Sequence, residues 1–276
     1  MTKLKARKRA KLRLVVFLIL AGALVVFSVL APLLTPNDPD ATSAANMNRA
    51  PGGQFPLGTD RYGRCVCSRV MMGARTSIFS AVTLVAATFV FGTALGMLAG
   101  YYGGAVDTVV MRLADVLLAF PQMVLAIAVA GILGGGMFNA MLAMGVSGWT
   151  GYARLARAKV LSLKEEAYVS AARLSGCGDA SILLGTLLPN LLGPLVVNAS
   201  TQIGSMMIGI AGLSFLGIGV MEPQAEWGSM ISGMRAYIQL APWAVLAPAF
   251  ATIVTVMVFN YLGDCVRDVL DVEVAK

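Results

Sequence analysis

The chain has 276 residues, of which 58% are hydrophobic and only 13% are charged, and this composition excludes an ordinary soluble globular domain. The formal net charge is +7 and no histidine is present, which argues against haem ligation by histidine and against serine or zinc chemistry that relies on imidazole. We therefore expect a membrane protein.

Five stretches carry no charged side chain and are long enough to cross a bilayer. They are residues 14–37, 76–106, 116–153, 180–221 and 236–263. A membrane-spanning helix needs roughly 20 apolar residues, and the third stretch is long enough for two helices separated at the triple glycine that begins at Gly134. The pattern predicts an all-α membrane protein with six transmembrane helices.

The N-terminal residues set the predicted orientation. Seven basic residues and no acidic residue lie between Lys3 and Arg13, which predicts a basic cytoplasmic tail at 1–13 and a first transmembrane helix at 14–34. Six crossings return the C-terminus to the cytoplasm. The loop after the fourth helix is then also inside, and its basic residues agree with that placement: Arg154, Arg157, Lys159, Lys164 and Arg173. The net charge indicates topology and a fit to anionic lipid headgroups, and not nucleic-acid binding.

The remaining chain divides into an external segment, a helical core and a second tail. Residues 35–75 contain four prolines and scattered charges, which is typical of an extended loop. Residues 76–265 are predicted to form a five-helix core and residues 266–276 a cytoplasmic tail.

In the core, Gly92 and Gly96 provide a small-residue face for helix packing. Arg112 and Asp115 are three residues apart, and we expect them to pair near the membrane surface.

A polar segment rich in small residues interrupts the apolar runs at about residues 162–188. Ser162 followed three residues later by Glu165 fits a capping box, and Gly176 is the predicted end of the helix. Small side chains at helical spacing form one stripe: Ala167, Ala171, Ala172, Ser175 and Gly176. Such a stripe lets another backbone approach closely, so the segment either receives a partner or packs on its own membrane domain.

Polar side chains also occur inside the fifth predicted helix, which we expect to begin at Pro189. Asn198, Gln202 and Met206 recur at a spacing of four residues. Amides at membrane depth are costly unless they have partners, so these residues either join helices or line a solute pathway.

Two classes of function fit the sequence poorly. A membrane enzyme would need an acid/base pair, but no paired acids and no histidine occur within a predicted span. A standalone channel or secondary transporter would use ionisable groups inside the membrane, and the charge-free stretches lack them. No Gly-Lys dipeptide occurs, so the sequence contains no nucleotide-binding P-loop of the GxxxxGK[ST] type.

The polar segment also resembles a known family. The run Ser170-Ala171-Ala172, followed by Gly176 and Leu188-Pro189, resembles the EAA loop of the membrane subunits of bacterial ABC importers, although Ser170 stands where the family usually has Glu. In that family the loop forms a cytoplasmic coupling helix that sits in a groove of the ATPase subunit. The resemblance implies the following ATPase-coupling residues: Glu166, Ser170, Ala171, Ala172, Gly176, Leu188 and Pro189.

Two further runs are similar to the peptide and nickel branch of these permeases. The first lies in the external segment and comprises Gly58-Thr59-Asp60, Gly63-Arg64, Ser68-Arg69, Gly73, Arg75 and Ser77. The second comprises Ser214-Phe215-Leu216-Gly217, Gly219 and Glu226-Trp227-Gly228, and it looks closest to nickel-importer permeases. We expect a short external helix near residues 227–238, anchored at the membrane interface by Trp227 and Tyr237.

The resemblance implies the permease subunit of an ATP-driven importer in the bacterial cytoplasmic (inner) membrane, forming half of a pathway that Asn198, Gln202 and Met206 are candidates to line. The implied partners are a second, homologous permease, two ABC ATPase subunits that bind ATP and Mg²⁺, and an extracytoplasmic solute-binding protein. The chain itself is expected to hold no metal or cofactor and to catalyse no reaction. Nickel, as an ion or chelate, is the expected solute. A dipeptide or oligopeptide importer is the alternative, and a standalone channel or secondary transporter is a distant one.

Overall fold

The computed structural model describes residues 3–274, with side chains for residues 9–270, so the extremities of both predicted tails, residues 1–2 and 275–276, lie outside the described residues. Within that range the chain forms helices and connecting loops, with one isolated β-bridge between Thr59 and Cys65 and no strand. The all-α prediction is therefore confirmed for the part of the chain that the structure describes.

The helices are numbered in chain order. They are α1 (Lys3–Leu34), α2 (Val66–Tyr102), α3 (Gly104–Leu118), α4 (Gln122–Leu133), α5 (Met137–Gly148), α6 (Thr150–Leu163), α7 (Ala167–Leu174), α8 (Asp179–Ser181), α9 (Leu188–Phe215), α10 (Trp227–Met234) and α11 (Trp243–Val274). A π-helical segment, Ile182–Leu187, joins α8 to α9, so Asp179–Phe215 is one continuous helical span. Short 3₁₀ turns occupy Ala44–Asn46 and Arg235–Tyr237.

Four of these helical segments are long and apolar enough to cross a membrane: Arg9–Leu34, Val66–Tyr102, Asp179–Phe215 and Trp243–Leu270. A fifth crossing results if α3 and α4 form one span, although they are bent by 91°. Pro121 precedes α4, and the chain bends there because proline has no N–H with which to continue α3. The fourth predicted crossing coincides with α5 and the start of α6, which are separated only by Trp149. The six-span topology stays a prediction.

The core of the bundle is built around α2, which contacts α1, α3, α5, α6, α9, α10 and α11. Glycines allow its closest approach, to α6. A Cβ at Gly92 would lie 2.3 Å from the carbonyl oxygen of Trp149, and a Cβ at Gly96 would lie 2.2 Å from that of Ala153. The predicted small-residue face is therefore confirmed, and its partner is α6. Dispersion contacts between closely packed backbones drive such association where no water is displaced.

Helix α3 is fastened to α6 by two ion pairs. Asp107 pairs with Arg157, and Asp115 pairs with Arg154. The expected pair between Arg112 and Asp115 is therefore wrong, because α6 presents a guanidinium to the Asp115 carboxylate. These pairs link two helices that the sequence pattern left unconnected.

A buried charge cluster organises the external segment. Asp60 accepts hydrogen bonds from the backbone N–H of Arg64 and, at 2.6 Å, from its Nε. Arg69 is only 2% exposed, and its guanidinium donates to the Asp40 carboxylate at 3.0 Å and to the carbonyl oxygen of Pro223 at 3.1 Å. A guanidinium buried this deeply needs such partners, because the cost of removing it from water is several kcal/mol. The cluster therefore fixes the path of the external segment over α2.

Glu222, in the loop before α10, completes this cluster. It pairs with Arg64 at 3.2 Å and with Arg61 at 3.4 Å. Burial would raise the pKa of Glu222, but the charge and hydrogen bond of Arg64, assisted by Tyr62 and Arg61, outweigh burial and hold the pKa below its ordinary value. Glu222 is thus ionised at neutral pH and joins this loop to the external segment.

A second contact attaches α10 to α2. Glu226 is buried and caps α10 by accepting hydrogen bonds from the backbone N–H groups of Gly228 and Ser229, at 2.9 and 2.8 Å. Trp227 is also buried, and its indole N–H donates to the carbonyl oxygen of Val70 at 2.9 Å. The expected interfacial position of Trp227 is therefore wrong, because the ring fills the space left by Gly73, where a Cβ would lie 2.8 Å from it.

We call the residues of these two contacts the external clamp, which comprises Asp60, Arg64, Arg69, Gly73, Glu222, Glu226 and Trp227. It brings together the two external runs noted in the sequence, which are far apart along the chain. The hydroxyl of Ser77 completes the connection, because it bonds to both the Glu226 carboxylate and the Trp227 backbone N–H at 3.3 Å.

We expect Gly96→Val to weaken the packing of α2 on α6, because the added side chain collides with the α6 backbone. Overpacking of this kind costs about 1–3 kcal/mol. Gly22→Val in α1 is the matched control, since nothing lies within 4 Å of a Cβ at Gly22. The measurement is the thermal unfolding midpoint of each purified variant in detergent, and only Gly96→Val should lower it. Equal midpoints for the two variants would contradict the close approach of α2 and α6.

Candidate coupling segment and solute pathway

The candidate coupling helix is α7, a two-turn surface helix between α6 and α8. Glu166 precedes it in an extended conformation, and its side chain makes no capping hydrogen bond. Helix α6 continues to Leu163, so Ser162 lies in the last turn of α6 and not ahead of a new helix. The expected capping box of Ser162 and Glu165 is therefore wrong, because the chain stays helical through the serine.

The end of α7 is closed by Gly176. This glycine has φ +83°, and its N–H donates to the carbonyl oxygen of Arg173 at 3.1 Å. The N–H of Cys177 donates to the carbonyl oxygen of Ala172, also at 3.1 Å. Together these two bonds form a Schellman motif, in which glycine is preferred because it adopts positive φ without strain. The prediction that Gly176 ends the helix is confirmed.

One face of α7 packs on the body of the protein and the other faces outward. Val169 is 1% exposed and packs with the π-helical segment Ile182–Leu187, and Ala172 is half-buried beside it. Leu174 is 91% exposed. The other outward-facing candidate residues have small or polar side chains: Glu166, Ser170, Ala171 and Gly176. The exposed surface of α7 therefore combines small side chains with two large ones, Tyr168 and, at the end of the helix, Leu174.

Leu188 and Pro189, the last two candidate coupling residues, lie where the π segment becomes α9. Leu188 is half-buried and packs in the same cluster as Val169, whereas Pro189 is exposed. Pro189 is the second residue of α9, but the helical span already begins at Asp179. The Leu188 N–H bonds to the carbonyl oxygen of Leu183, five residues back, and this wider turn admits a residue without an N–H.

The three candidate pathway residues follow one another along α9 at a spacing of four residues, but they differ in burial. Asn198 and Gln202 are half-buried, whereas Met206 is 1% exposed and packs in the core, where its methyl group lies 3.0 Å from a Cβ at Gly148. Met206 therefore contributes to the packing of the helix-bundle core. Asn198 borders a groove of about 760 Å³ between α6, α9 and α11.

This groove combines amide, hydroxyl and cationic side chains: Lys159, Asn190, Asn198, Thr201 and Arg267. Helices α9 and α11 are antiparallel, since Gly263 packs against Thr201 and Leu270 against Gly193. Arg267 lies between Gly263 and Leu270 in sequence and is therefore level with Asn198. Neither Lys159 nor Arg267 has an ion-pair partner among the described side chains. Among the acidic residues of α11 whose side chains the structure describes, Asp264 and Asp268 do not line the groove.

Comparison with known families identifies the chain. Residues 92–276 match the family described as binding-protein-dependent transport system inner membrane component. The chain belongs to this family. Its members are membrane subunits of ABC importers, so the chain is an ABC importer permease subunit, which agrees with its several apolar helices.

Individual relatives show which branch of the family this chain resembles. A dipeptide transport system permease protein of Alkalihalophilus pseudofirmus is 39% identical over 267 residues, which cover 97% of this chain and 88% of the relative. A nickel transport system permease protein of Escherichia coli K12 is 38% identical, over 92% of each chain. A glutathione transport system permease protein of Pectobacterium atrosepticum is 42% identical, over 82% of this chain and 75% of the relative. The expected dipeptide, oligopeptide and nickel branch is confirmed, but these identities do not separate nickel from peptide transport.

The sequence patterns missed several residues of this permease. In the sequence, Lys159 indicates only topology and Arg267 falls in the predicted cytoplasmic tail, because nothing in the sequence places α6 and α11 beside the same face of α9. Tyr101 was missed entirely. It lies at the C-terminal end of α2 and contacts Arg173 and Asp179, on the two sides of the turn at Gly176.

We expect Gly176→Ala to loosen the end of α7, whereas Gly176→Asn should largely preserve it. No atom lies within 4 Å of a Cβ at Gly176, so the cost comes from the positive φ alone, at roughly 1 kcal/mol for alanine. Asparagine tolerates this conformation better. The measurement is hydrogen exchange of the α7 amides, which should be faster in Gly176→Ala only. Equal exchange in both variants would contradict the importance of the Schellman motif.

Proposed function

We propose that this permease forms half of the solute pathway of an ATP-driven importer in the bacterial inner membrane, with a second, homologous permease forming the other half. Six crossings are proposed, with α3–α4 as the third and α5–α6 as the fourth, and with both termini in the cytoplasm. The basic residues that precede the first span and those of α6 support this orientation, because cytoplasmic loops carry an excess of lysine and arginine.

We further propose that α7 docks on a separate ATPase subunit that binds ATP and Mg²⁺. The observation that carries this proposal is the outer face of α7, where exposed small side chains surround a leucine that is 91% exposed. An exposed large apolar side chain beside small residues suits burial in a partner's groove. The absence of a P-loop from the sequence also supports a separate ATPase. An extracytoplasmic binding protein would deliver the solute.

The expectation of nickel relied on residues 204–238, and the contacts there do not favour a metal. Glu226 and Trp227 are engaged in the external clamp. Methionine is frequent in this region, but four of these side chains are buried in packing positions: Met206, Met207, Met230 and Met234. Thioethers are in any case poor ligands for Ni(II). The assignment of nickel as the solute is therefore supported only by the similarity to nickel permeases.

The groove beside α9 favours a solute that carries a carboxylate. Lys159 and Arg267 both border the groove, and Asn198 adds an amide at the level of Arg267. A guanidinium binds a carboxylate through charge-assisted hydrogen bonds and repels a bare divalent cation. We therefore propose a small peptide with a free carboxylate as the solute. Nickel bound to a carboxylate-bearing chelator is the second candidate, supported by the relative that transports nickel.

We expect Ala171→Arg to abolish ATP-dependent uptake while the permease remains in the membrane, because a long charged side chain on the outer face of α7 prevents docking. The ATPase subunits should then no longer co-purify with the permease. Ala236→Arg, an equally exposed alanine near α10, is the matched control and should transport normally. Normal uptake by Ala171→Arg would contradict the coupling role of α7.

We expect Arg267→Gln to reduce uptake of a radiolabelled dipeptide about tenfold, since a charge-assisted hydrogen bond is lost. Uptake of the same dipeptide with an amidated C-terminus should be low in both forms and change little. Arg112→Gln, which removes an exposed arginine outside the groove, is the control.

A second experiment distinguishes peptide from nickel transport: nickel uptake, with and without histidine as a chelator, is measured in cells with and without the chain. Loss of nickel uptake alone on deletion would contradict the peptide assignment.

A further inference from the structure

The inner end of α2 is joined to the coupling segment through one side chain, Tyr101. Its hydroxyl donates a hydrogen bond to Oδ1 of Asp179 at 2.6 Å. The guanidinium of Arg173 lies over its ring, 5.5 Å from the centroid. Arg173 belongs to the last turn of α7, and Asp179 is the first residue of α8. Tyr101 therefore contacts the chain on both sides of the turn at Gly176.

These contacts differ in kind from the other attachment of α7. Val169 holds α7 by apolar packing, which has no directional preference and lets one surface slide on another. A phenol–carboxylate hydrogen bond is short and directional, so a displacement of Asp179 displaces Tyr101 with it. Nearby, Lys164 donates to the carbonyl oxygen of Gly100 at 3.4 Å, which adds a polar contact between the start of the coupling loop and the same turn of α2.

The residues that follow Tyr101 form a pivot. Gly103 and Gly104 both have positive φ, +66° and +55°, and nothing lies within 4 Å of a Cβ at either position. They separate α2 from α3, which is in turn held to α6 by its two ion pairs. Adjacent glycines in open space can absorb backbone rotation at the junction of two helices.

We propose that Tyr101 is a positioning residue that transmits displacement of α7 to the inner end of α2 and to the pivot at Gly103 and Gly104. The inference rests on the proposed docking of α7 on an ATPase. When the ATPase subunits move α7, the Asp179–Tyr101 hydrogen bond carries the movement into the longest helix of the bundle core. Without that bond, ATP hydrolysis proceeds but moves the pathway less effectively.

The test uses the complete importer, with its second permease, ATPases and binding protein, reconstituted in lipid vesicles. Tyr101→Phe retains the ring beneath Arg173 and removes the hydroxyl. With radiolabelled dipeptide as the probe, the measurement is solute transported per ATP hydrolysed, which should fall roughly three- to tenfold, the effect of losing one hydrogen bond, while ATP hydrolysis is retained. Tyr102→Phe is the matched control, because the Tyr102 hydroxyl has no hydrogen-bond partner among the described residues and its ring packs on Tyr101.

Variants of Asp179 test whether the hydrogen bond itself is responsible. Asp179→Asn keeps an acceptor oxygen and should retain the normal transport ratio. Asp179→Ala should lower the ratio as Tyr101→Phe does, and the double variant should lower it no further, since both substitutions remove the same interaction.

Three results would overturn the inference in distinguishable ways. If Tyr101→Phe transports normally per ATP while Ala171→Arg is inactive, α7 couples to the ATPase but not through Tyr101. If Tyr101→Phe reduces only the amount of assembled importer, the residue is structural. If Ala171→Arg transports normally, the proposed docking of α7 fails, and the inference about Tyr101 fails with it.

Discussion

The close approach of α2 and α6 is the contact on which the rest of the bundle depends. In a bilayer no water is displaced when two helices meet, so packing contacts must hold them together. Glycines at one helical spacing let α2 lie against the carbonyl oxygens of α6. The position of α6 then determines where its arginines meet α3, where one wall of the groove lies, and where α7 leaves the membrane domain.

Helix α2 is also the element that connects the two ends of the molecule. It has 37 residues, which at 1.5 Å per residue is roughly 55 Å, well beyond the about 30 Å of a bilayer core. At its outer end the external clamp holds it to α10 through Trp227 and Ser77. At its C-terminal end Tyr101 donates a hydrogen bond to Asp179, the first residue of α8. Because a continuous helix is stiff along its axis, a displacement at one end of α2 reaches the other.

Local patterns predicted most elements of this fold, and long-range partners were what they missed. The apolar runs and the end of α7 at Gly176 depend on neighbours within a few residues, which a sequence records directly. The pairing of Asp115 with Arg154 and the burial of Trp227 depend on which helices meet. Spacing identified Asn198 as a polar residue at membrane depth, but the groove beside it required the positions of α6 and α11.

The location of the signature residues explains why they identify the branch but not the solute. Of the external residues that resemble the peptide and nickel permeases, Asp60, Arg64 and Arg69 are buried in ion pairs, and Glu226 and Trp227 are buried in hydrogen bonds that attach α10 to α2. A side chain with its polar atoms committed in this way stabilises the scaffold and has none left for a solute. By contrast, Lys159 and Arg267 in the groove have no ion-pair partner among the described residues, and they are the residues that the carboxylate of the proposed solute would contact.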